Sequence, residues 1–441
     1  MKKIICQAVV ALIIAAPVAV AQKNIVKQVR LADFDLQSSA VVKASGEEIS
    51  SPGFKKDVYW FPVSVPSTVL TGLVANKVYP DPYTGLNNML IPDASDEFNR
   101  KYDLEKFSKL PNDPNPWKKP YWYRTQFLVP ASDNGKCFQL IFKGINYRAG
   151  VWVNGRQVAD STKMAGMFAQ YSLDVSKLIK AGEENVLAVK IYPPDYPGLP
   201  STEQLEALGD FYPNGGPTGD TGKNVTMLCT VGWDWVPPVR DRNMGIWLPV
   251  YLRTTGNVTI GNTRIRTDLA GEQDTSSAKI SISTTLFNHS GINEAGKLTI
   301  KISPENFRGR SVQFSKNVAV GKANSNLIEL NAENTKELKI LKPAIWWPNG
   351  YGKPNLYRIR IQYAGQSGIK DDTTFLFGIR TVSTKAVDVN GSLRRDFYVN
   401  GRRIHITGGA WVPDFMMNRD SLRYDYELRL CRNANINLVR I

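Results

Sequence analysis

Apolar and polar residues alternate in short runs between residues 30 and 255, a pattern typical of strands with one buried face. Two clear runs are formed by Phe138, Leu140 and Phe142, and by Leu187, Val189 and Ile191. Turn pairs such as Asn154-Gly155 separate the runs. This spacing predicts an antiparallel β-sandwich, interrupted by Pro-rich loops at 111–120 and 193–224.

A second stretch with strand periodicity extends from residue 256 to residue 383. Its apolar positions alternate with polar ones in two runs: Leu298, Ile300 and Ile302, and Tyr357, Ile359, Ile361 and Tyr363. Helix signals are few in these 128 residues. A compact unit of short strands of this length predicts an immunoglobulin-like sandwich.

The pattern changes after residue 383. Ile404–Thr407 predicts a short strand that ends at Gly408-Gly409. Asp420 or Ser421 can cap a helix that places Tyr424, Leu428 and Cys431 on one face, and the apolar stretch 436–441 predicts a second strand. Strand, helix and strand in this order predict the first βαβ unit of a (β/α)8 barrel, which needs about 250 residues. Since only 58 residues follow residue 383, we expect this chain to be the amino-terminal part of a longer protein.

The first 21 residues have the pattern of a secretory signal peptide. Met1-Lys2-Lys3 is a basic start, residues 4–18 are apolar, and Ala19-Val20-Ala21 suits a signal peptidase. The apolar run is too short to be a stable membrane anchor. We therefore expect export, to a bacterial periplasm or the extracellular space, with a mature chain from Gln22.

Charge and composition narrow the possible chemistry. The formal net charge of +15 is carried by dispersed residues, with doublets but no run of five or six basic residues, so nucleic acid is not an expected partner. After Lys2 and Lys3 are removed the charge is +13. Three cysteines (137, 229 and 431) and two histidines remain. These numbers exclude a disulfide framework, although one bridge stays possible, and they predict no metal cluster. We expect no cofactor.

Two places carry residues suited to binding a sugar. The first is Gly232-Trp233-Asp234-Trp235, where indole faces can contact a pyranose ring and a carboxylate can accept hydroxyl hydrogen bonds. In a regular strand Asp234 would point away from both tryptophans, so buried sandwich aromatics are the alternative interpretation. The second is Trp411, which follows the first predicted barrel strand, with Asp414 as its neighbour. Trp411 could instead cover the core, and Asp414 could cap a turn.

Longer motifs extend along the whole chain after the signal peptide. In sequence order they are VPSTVL (65–70), YPDPYTGLNN (79–88), YWYRTQF (121–127), GINYRAGVWVNG (144–155), ENVLAVKIYPP (184–194), AIWWPNGYGKPNLY (344–357), FGIRTVS (377–383), FYVNGRRIHITGGAWVPD (397–414) and NINLVRI (435–441). In this order they resemble the family 2 glycoside hydrolases. With LQSSA (36–40) and VGWDWVPPVRDRNMGIW (231–247), the chain looks most like exo-β-D-glucosaminidases, followed by β-mannosidases and endo-β-mannosidases.

The resemblance implies a mostly β fold with a barrel start. It implies a jelly-roll sugar-binding sandwich at 22–255, an immunoglobulin-like sandwich at 256–383 and a truncated TIM barrel at 384–441. Members of the family are retaining enzymes that use two carboxyl groups about 5–5.5 Å apart. Those glutamates belong to later barrel strands. No catalytic residue is therefore assigned in 1–441, and the chain alone is expected to be inactive without its missing carboxyl-terminal barrel.

The resemblance also suggests roles for the candidate residues. Trp233, Asp234 and Trp235 are expected to reach the barrel's active site and bind the terminal β-linked sugar. Trp411 would form a wall of the same subsite, with Asp414 beside it. Arg440, on the second barrel strand, resembles the arginine that keeps the nucleophilic carboxylate ionised. Arg240, Asp241 and Arg242 are expected to form a salt-bridged turn instead of contacting sugar.

Two alternatives remain open from the sequence. A strongly positive protein repels a polycation such as a chitosan oligomer at long range, which keeps a β-mannosidase or endo-β-mannosidase activity in consideration. A non-catalytic carbohydrate-binding protein is the alternative from another class. It would bind sugar through its two β-domains without hydrolysing it.

Overall fold

The computed structural model describes residues 26–195, 224–232, 238–418 and 421–441. Within these residues, no helix combines the length and the apolar character needed to cross a bilayer. The chain forms two β-sandwiches, followed by a small antiparallel sheet and one parallel strand pair. The expected mostly β fold class is confirmed.

The first sandwich contains twelve strands. Their bounds are β1 (Lys27–Leu31), β2 (Asp33–Ser38), β3 (Phe61–Ser64), β4 (Ser67–Thr68), β5 (Tyr121–Leu128), β6 (Cys137–Phe142), β7 (Arg148–Val153), β8 (Arg156–Ala159), β9 (Tyr171–Asp174), β10 (Glu184–Tyr192), β11 (Gly245–Ile246) and β12 (Val250–Thr255). One sheet has the order β1-β12-β6-β9, and the other has the order β3-β2-β5-β10-β7-β8. The short strands β4 and β11 pair with each other beside them. All these pairings are antiparallel.

The predicted alternation places the core of this sandwich correctly. Phe138, Leu140 and Phe142 of β6 are buried, as are Leu187, Val189 and Ile191 of β10. They join one apolar cluster between the two sheets. Burial of such a face removes each large side chain from water, which stabilises the fold by about 1.5–3 kcal/mol per residue.

Short helices cover parts of the first sandwich. They are α1 (Gly46–Ile49), α2 (Val69–Ala75), α3 (Asp96–Tyr102) and α4 (Leu228–Val231), with single 3-10 turns at Asn87–Leu90, Glu105–Phe107, Pro116–Lys118 and Ala131–Asp133. A capping box of Ser45 and Glu48 begins α1. Gly46 allows this helix to approach the sheet, because a Cβ there would lie 2.2 Å from the Trp152 ring.

The second sandwich contains eight strands and one 3-10 turn. They are β13 (Val258–Leu269), β14 (Ser277–Asn288), β15 (Glu294–Pro304), β16 (Val312–Val320), β17 (Ser325–Leu330), the turn Lys336–Leu338, β18 (Lys339–Leu341), β19 (Tyr357–Gly365) and β20 (Gly368–Phe377). One sheet is β13-β14-β17 with β18 also on β14, and the other is β16-β15-β19-β20. The residues predicted to alternate in β15 and β19 all join the core cluster between these sheets.

A buried ion pair joins the two sandwiches. Nη2 of Arg253 donates to both carboxylate oxygens of Asp371, at 2.7 and 2.9 Å. The backbone N–H of Ile260 donates to Oδ2 of the same carboxylate at 2.6 Å. Arg253 lies in β12 of the first sandwich, while Asp371 lies in β20 of the second. The pair therefore fixes how the last strand of one sandwich meets the next.

The carboxyl-terminal part corrects one strand prediction. An antiparallel sheet of β21 (Val382–Val389), β22 (Ser392–Val399) and β23 (Arg402–Ile404) comes first. The parallel pair then follows as β24 (Gly408–Ala410), α5 (Ser421–Asn433) and β25 (Leu438–Arg440). The strand predicted at 404–407 is wrong, because residues 402–404 complete the antiparallel sheet and Gly408 and Gly409 lie inside the parallel strand.

Candidate functional site

Segments that are distant in sequence meet beside the carboxyl end of β24. The Tyr83 hydroxyl donates to Oδ1 of Asp414 at 2.8 Å, and Nδ2 of Asn243 donates to the carbonyl of Phe415 at 2.8 Å. We name this region the junction, and it comprises residues 79–88, 238–244 and 411–418. It lies at the end of the strand where barrel folds carry their sites.

Trp411 follows β24 directly and is half-buried. Its indole Nε1–H donates to Oε2 of Glu427 at 2.9 Å, and its backbone N–H donates to the carbonyl of Arg440 at 2.8 Å. The Tyr424 ring meets the indole edge to face, with ring centroids 5.4 Å apart. Helix α5 therefore holds one edge of the indole, while the ring keeps exposed surface. Its predicted contact with sugar stays a prediction.

Asp414 is a buried residue of the junction, with only 7% of its surface exposed. Its Oδ1 accepts the Tyr83 hydroxyl and the backbone N–H groups of Met416 and Asn418, at 2.8, 2.9 and 3.3 Å. Its Oδ2 accepts Nη1 of Arg423 at 2.9 Å. The bonds to Met416 and Asn418 are those of a turn cap, the simpler of the two sequence interpretations. Contact between Asp414 and sugar stays a prediction.

Arg440 lies in β25, beside Trp411, and is exposed. No carboxylate of the described residues forms an ion pair with it. The position of Arg440 agrees with a strand that neighbours β24, and the carboxylate expected to be its partner is predicted on later strands. Its nucleophile-orienting role therefore stays a prediction.

Trp233, Asp234 and Trp235 lie outside the described residues. The described residues before and after them do reach the junction. Cys229 of α4 packs in one cluster with Met167, Trp247 and Met417. On the other side, residues 238–244 belong to the junction itself. The motif is thus flanked by segments that contact the loop after β24.

Two buried arginines bind Asp93 and the nearby 79–88 segment. Arg240 and Arg242 both bind the carboxylate of Asp93, which is fully buried, at 3.1 and 2.7 Å. Nε of Arg240 also donates to the carbonyl of Asn88 at 3.0 Å. The expected salt-bridged turn is present, but the carboxylate that both arginines bind is Asp93, which the sequence did not indicate.

Asp241 instead accepts two backbone hydrogen bonds. Its Oδ2 accepts the N–H of Leu70, in the first turn of α2, and its Oδ1 accepts the N–H of Asn243, both at 2.8 Å. Burial raises the pKa of Asp241 to about 6, although these bonds and nearby Arg242 oppose the shift. The Asp241 carboxylate therefore binds its proton more tightly in the folded protein than in the unfolded chain.

This pKa predicts a specific dependence of stability on pH. The contribution from Asp241 is fully present below the unfolded pKa of about 4 and is lost as the pH rises through about 6. Urea unfolding of the wild type and of Asp241→Asn, from pH 4 to pH 7.5, would measure it. We expect the stability difference between the two proteins to change across this window, in the direction that disfavours the wild type at higher pH. If the free energies of unfolding of the two proteins change in parallel with pH, the raised pKa of Asp241 is wrong. Asp57→Asn, at an exposed position, is the control and should show no such change relative to the wild type.

The cysteines and possible metal ligands show no assembled centre in the described ranges. Cys137, Cys229 and Cys431 are all free thiols. Burial raises the pKa of the Cys229 thiol to about 12, so it is protonated at neutral pH. The same ranges contain no group of three or more side chains arranged to hold a metal ion. That the protein needs no cofactor stays a prediction.

Several residues in or next to the junction were not predicted from the sequence. Asp93, Tyr83, Arg423 and Glu427 all bind a candidate residue or its anchor. Arg423 and Glu427 are four positions apart on a helix, a spacing that favours an ion pair. Tyr83 and Asp414 are separated by 331 residues, and no local pattern can indicate such a contact.

Comparison with known proteins identifies the family. Residues 41–248 match the galactose-binding-like domain of glycosyl hydrolase family 2, and residues 258–380 match a second domain of the glycosyl hydrolases of family 2. The two matches follow the order of the two sandwiches. This chain therefore belongs to the family 2 glycosyl hydrolases and carries their amino-terminal β-domains.

Several individual proteins of this family are similar to the chain. The chain is 31% identical over 386 residues to a mannosylglycoprotein endo-β-mannosidase of Lilium longiflorum, covering 86% of this chain and 36% of that protein. It is 29% identical over 412 residues to an exo-β-D-glucosaminidase of Streptomyces avermitilis, covering 93% and 38%. The crystal structure of the exo-chitosanase of Amycolatopsis orientalis has a TM-score of 0.72 and 25% identity, with 94% and 40% covered. The chain thus spans about two-fifths of the length of these relatives.

Proposed function

We propose that this chain is the substrate-recognition part of an exported, retaining β-glycosidase with exo-β-D-glucosaminidase activity. Its resemblance to the Streptomyces and Amycolatopsis enzymes supports this substrate class. The structural observation that carries the proposal is the junction, where Trp411 and residues flanking the Trp-Asp-Trp motif meet at the carboxyl end of β24. Trp411 would stack on the terminal β-linked sugar, and the catalytic glutamates would come from later barrel strands.

Endo-β-mannosidase activity is the second candidate. The Lilium relative supports it with 31% identity, and the net charge of +15 disfavours a polycationic substrate at long range. Both activities cleave the β-glycosidic bond of a pyranose, so the same aromatic wall could serve either one. The two candidates differ at C2, where glucosamine carries an equatorial amino group and mannose an axial hydroxyl group.

Binding and hydrolysis should be measured on the 441-residue chain with glucosamine and mannose disaccharides. We expect saturable binding of the glucosamine disaccharide without hydrolysis, because the proposed catalytic pair lies beyond this chain. Trp411→Ala should weaken binding about tenfold, which corresponds to about 1.4 kcal/mol. Trp346→Ala, in the second sandwich, is the control and should bind as the wild type does.

Three other results of these binding and hydrolysis measurements would contradict parts of the proposal. Stronger binding of the mannose disaccharide would favour the endo-mannosidase candidate. Hydrolysis by the 441-residue chain would contradict the assignment of the catalytic groups to a missing barrel. Binding that is unchanged in Trp411→Ala would remove Trp411 from the sugar subsite.

A further inference from the structure

A continuous row of hydrogen bonds connects the first sandwich with the indole of Trp411. Tyr83 donates to Asp414 at 2.8 Å, and Nη1 of Arg423 donates to the other oxygen of Asp414 at 2.9 Å. Nε of Arg423 donates to Oε1 of Glu427 at 2.8 Å. Oε2 of Glu427 accepts the indole N–H of Trp411 at 2.9 Å. We name these five side chains the Tyr83–Trp411 network.

We propose that Tyr83, Asp414, Arg423 and Glu427 are positioning residues that set the orientation of the Trp411 indole for the terminal sugar. The sugar-binding part of this inference rests on the function proposed above. None of the four needs to touch the sugar, because each acts through the next member of the network.

The two oxygens of the Glu427 carboxylate restrict the orientation of the Trp411 indole. These oxygens are used by different partners, Arg423 and Trp411, so a rotation that keeps one bond breaks the other. Arg423 is restricted in the same way, because its planar guanidinium binds Asp414 and Glu427 through different nitrogens. The Tyr424 ring packs against the indole as well. The direction of the indole N–H is therefore set by a fixed row of atoms.

Asp414 provides the fixed end of this row. Its carboxylate is buried and accepts the N–H of Met416 as well as the Tyr83 hydroxyl. The Tyr83 ring also contacts Phe415, with ring centroids 4.4 Å apart. Burial and the bond to Asp414 both raise the pKa of Tyr83, which keeps its hydroxyl protonated and donating. The 79–88 segment of the first sandwich is thereby coupled to an aromatic side chain on the barrel strand.

The network can be tested by fluorine NMR on the 441-residue chain labelled with 5-fluorotryptophan. Trp411→Phe assigns the resonance of Trp411. We expect Arg423→Met and Tyr83→Phe to shift this resonance by more than its linewidth, while the other tryptophan resonances stay in place. Arg429→Met is the matched control, because Arg429 also pairs with a carboxylate four residues away on the same helix. It should leave the Trp411 resonance unchanged.

A second arginine variant separates charge from geometry. Arg423→Lys keeps the positive charge but cannot bind two carboxylates in one plane. We expect it to shift the Trp411 resonance in the same direction as Arg423→Met. If Arg423→Lys instead restores the wild-type resonance, charge alone holds the indole, and the proposed geometric role is wrong.

This test of the Tyr83–Trp411 network does not depend on whether the protein binds sugar. An unchanged Trp411 resonance in both Tyr83→Phe and Arg423→Met would overturn the network, even if the protein binds sugar well. A shifted resonance in these variants, with no response of Trp411 to a glucosamine disaccharide, would support the network and contradict the proposed function. If Arg423→Met disturbs all tryptophan resonances, Tyr83→Phe decides alone, since it removes a single oxygen atom from a half-exposed ring.

Discussion

Replacement of Asp93 by alanine is expected to lower the free energy of unfolding of the first sandwich by about 3–5 kcal/mol. Asp93 is fully buried and is the shared partner of Arg240 and Arg242, whose side chains are 4% and 1% exposed. Without the carboxylate, two guanidinium groups remain in a site with little access to water. Removal of one partner of a buried ion pair destabilises proteins far more than loss of a surface pair.

Urea unfolding followed by tryptophan fluorescence would measure this loss. The signal reports largely on the first sandwich, because five buried tryptophans lie there: Trp60, Trp117, Trp122, Trp152 and Trp247. Asp103→Asn is the control, since Asp103 pairs with Lys106 on the surface, and its cost should stay below about 0.5 kcal/mol. A loss for Asp93→Ala as small as the control would show that the arginines are not held by this carboxylate.

Replacement of Asp371 by asparagine should cost about 3 kcal/mol and should loosen the connection between the two sandwiches. Asparagine keeps the size of the side chain but removes the charge that Arg253 binds through two contacts. Burial raises the pKa of Asp371 even though Arg253 opposes the shift. The carboxylate is therefore costly to bury and depends on its partner.

Calorimetry and limited proteolysis would show the effect of Asp371→Asn. We expect the two sandwiches to unfold in more widely separated transitions, with faster cleavage near residue 256. Glu305→Gln in the same sandwich is the matched control, because Glu305 makes a two-contact pair with Arg358 on the surface. If both variants lose stability equally, the buried ion pair is not what holds the sandwiches together.

The alternation of apolar residues was sufficient to locate the sandwich cores. Leu298, Ile300 and Ile302 are all buried while Lys301 is exposed, as a strand with one covered face requires. Gly408–Ala410 does not follow this alternation. A strand of two glycines and an alanine carries no apolar pattern, whereas the apolar Ile404 belongs to an antiparallel neighbour.

The candidate site was only partly predictable for a different reason. Trp411 and Asp414 could be selected because their residue types and their place after a predicted barrel strand suit sugar binding. Their partners could not be selected in the same way. Asp93 meets Arg242 across 149 positions of sequence, and nothing near Asp93 distinguishes it from a surface carboxylate. Burial of an ion pair is decided by how distant segments pack, which a local pattern does not contain.

The separation of 331 residues between Tyr83 and Asp414 has a consequence for the order of folding. At a synthesis rate of 5–20 residues per second, on the order of 20 to 60 s pass between the appearance of these two residues. The first sandwich can close its core during that interval, whereas the junction must wait for its last segment. Since contacts between distant residues also form slowly, we expect the junction to be the last part of this chain to reach its final structure.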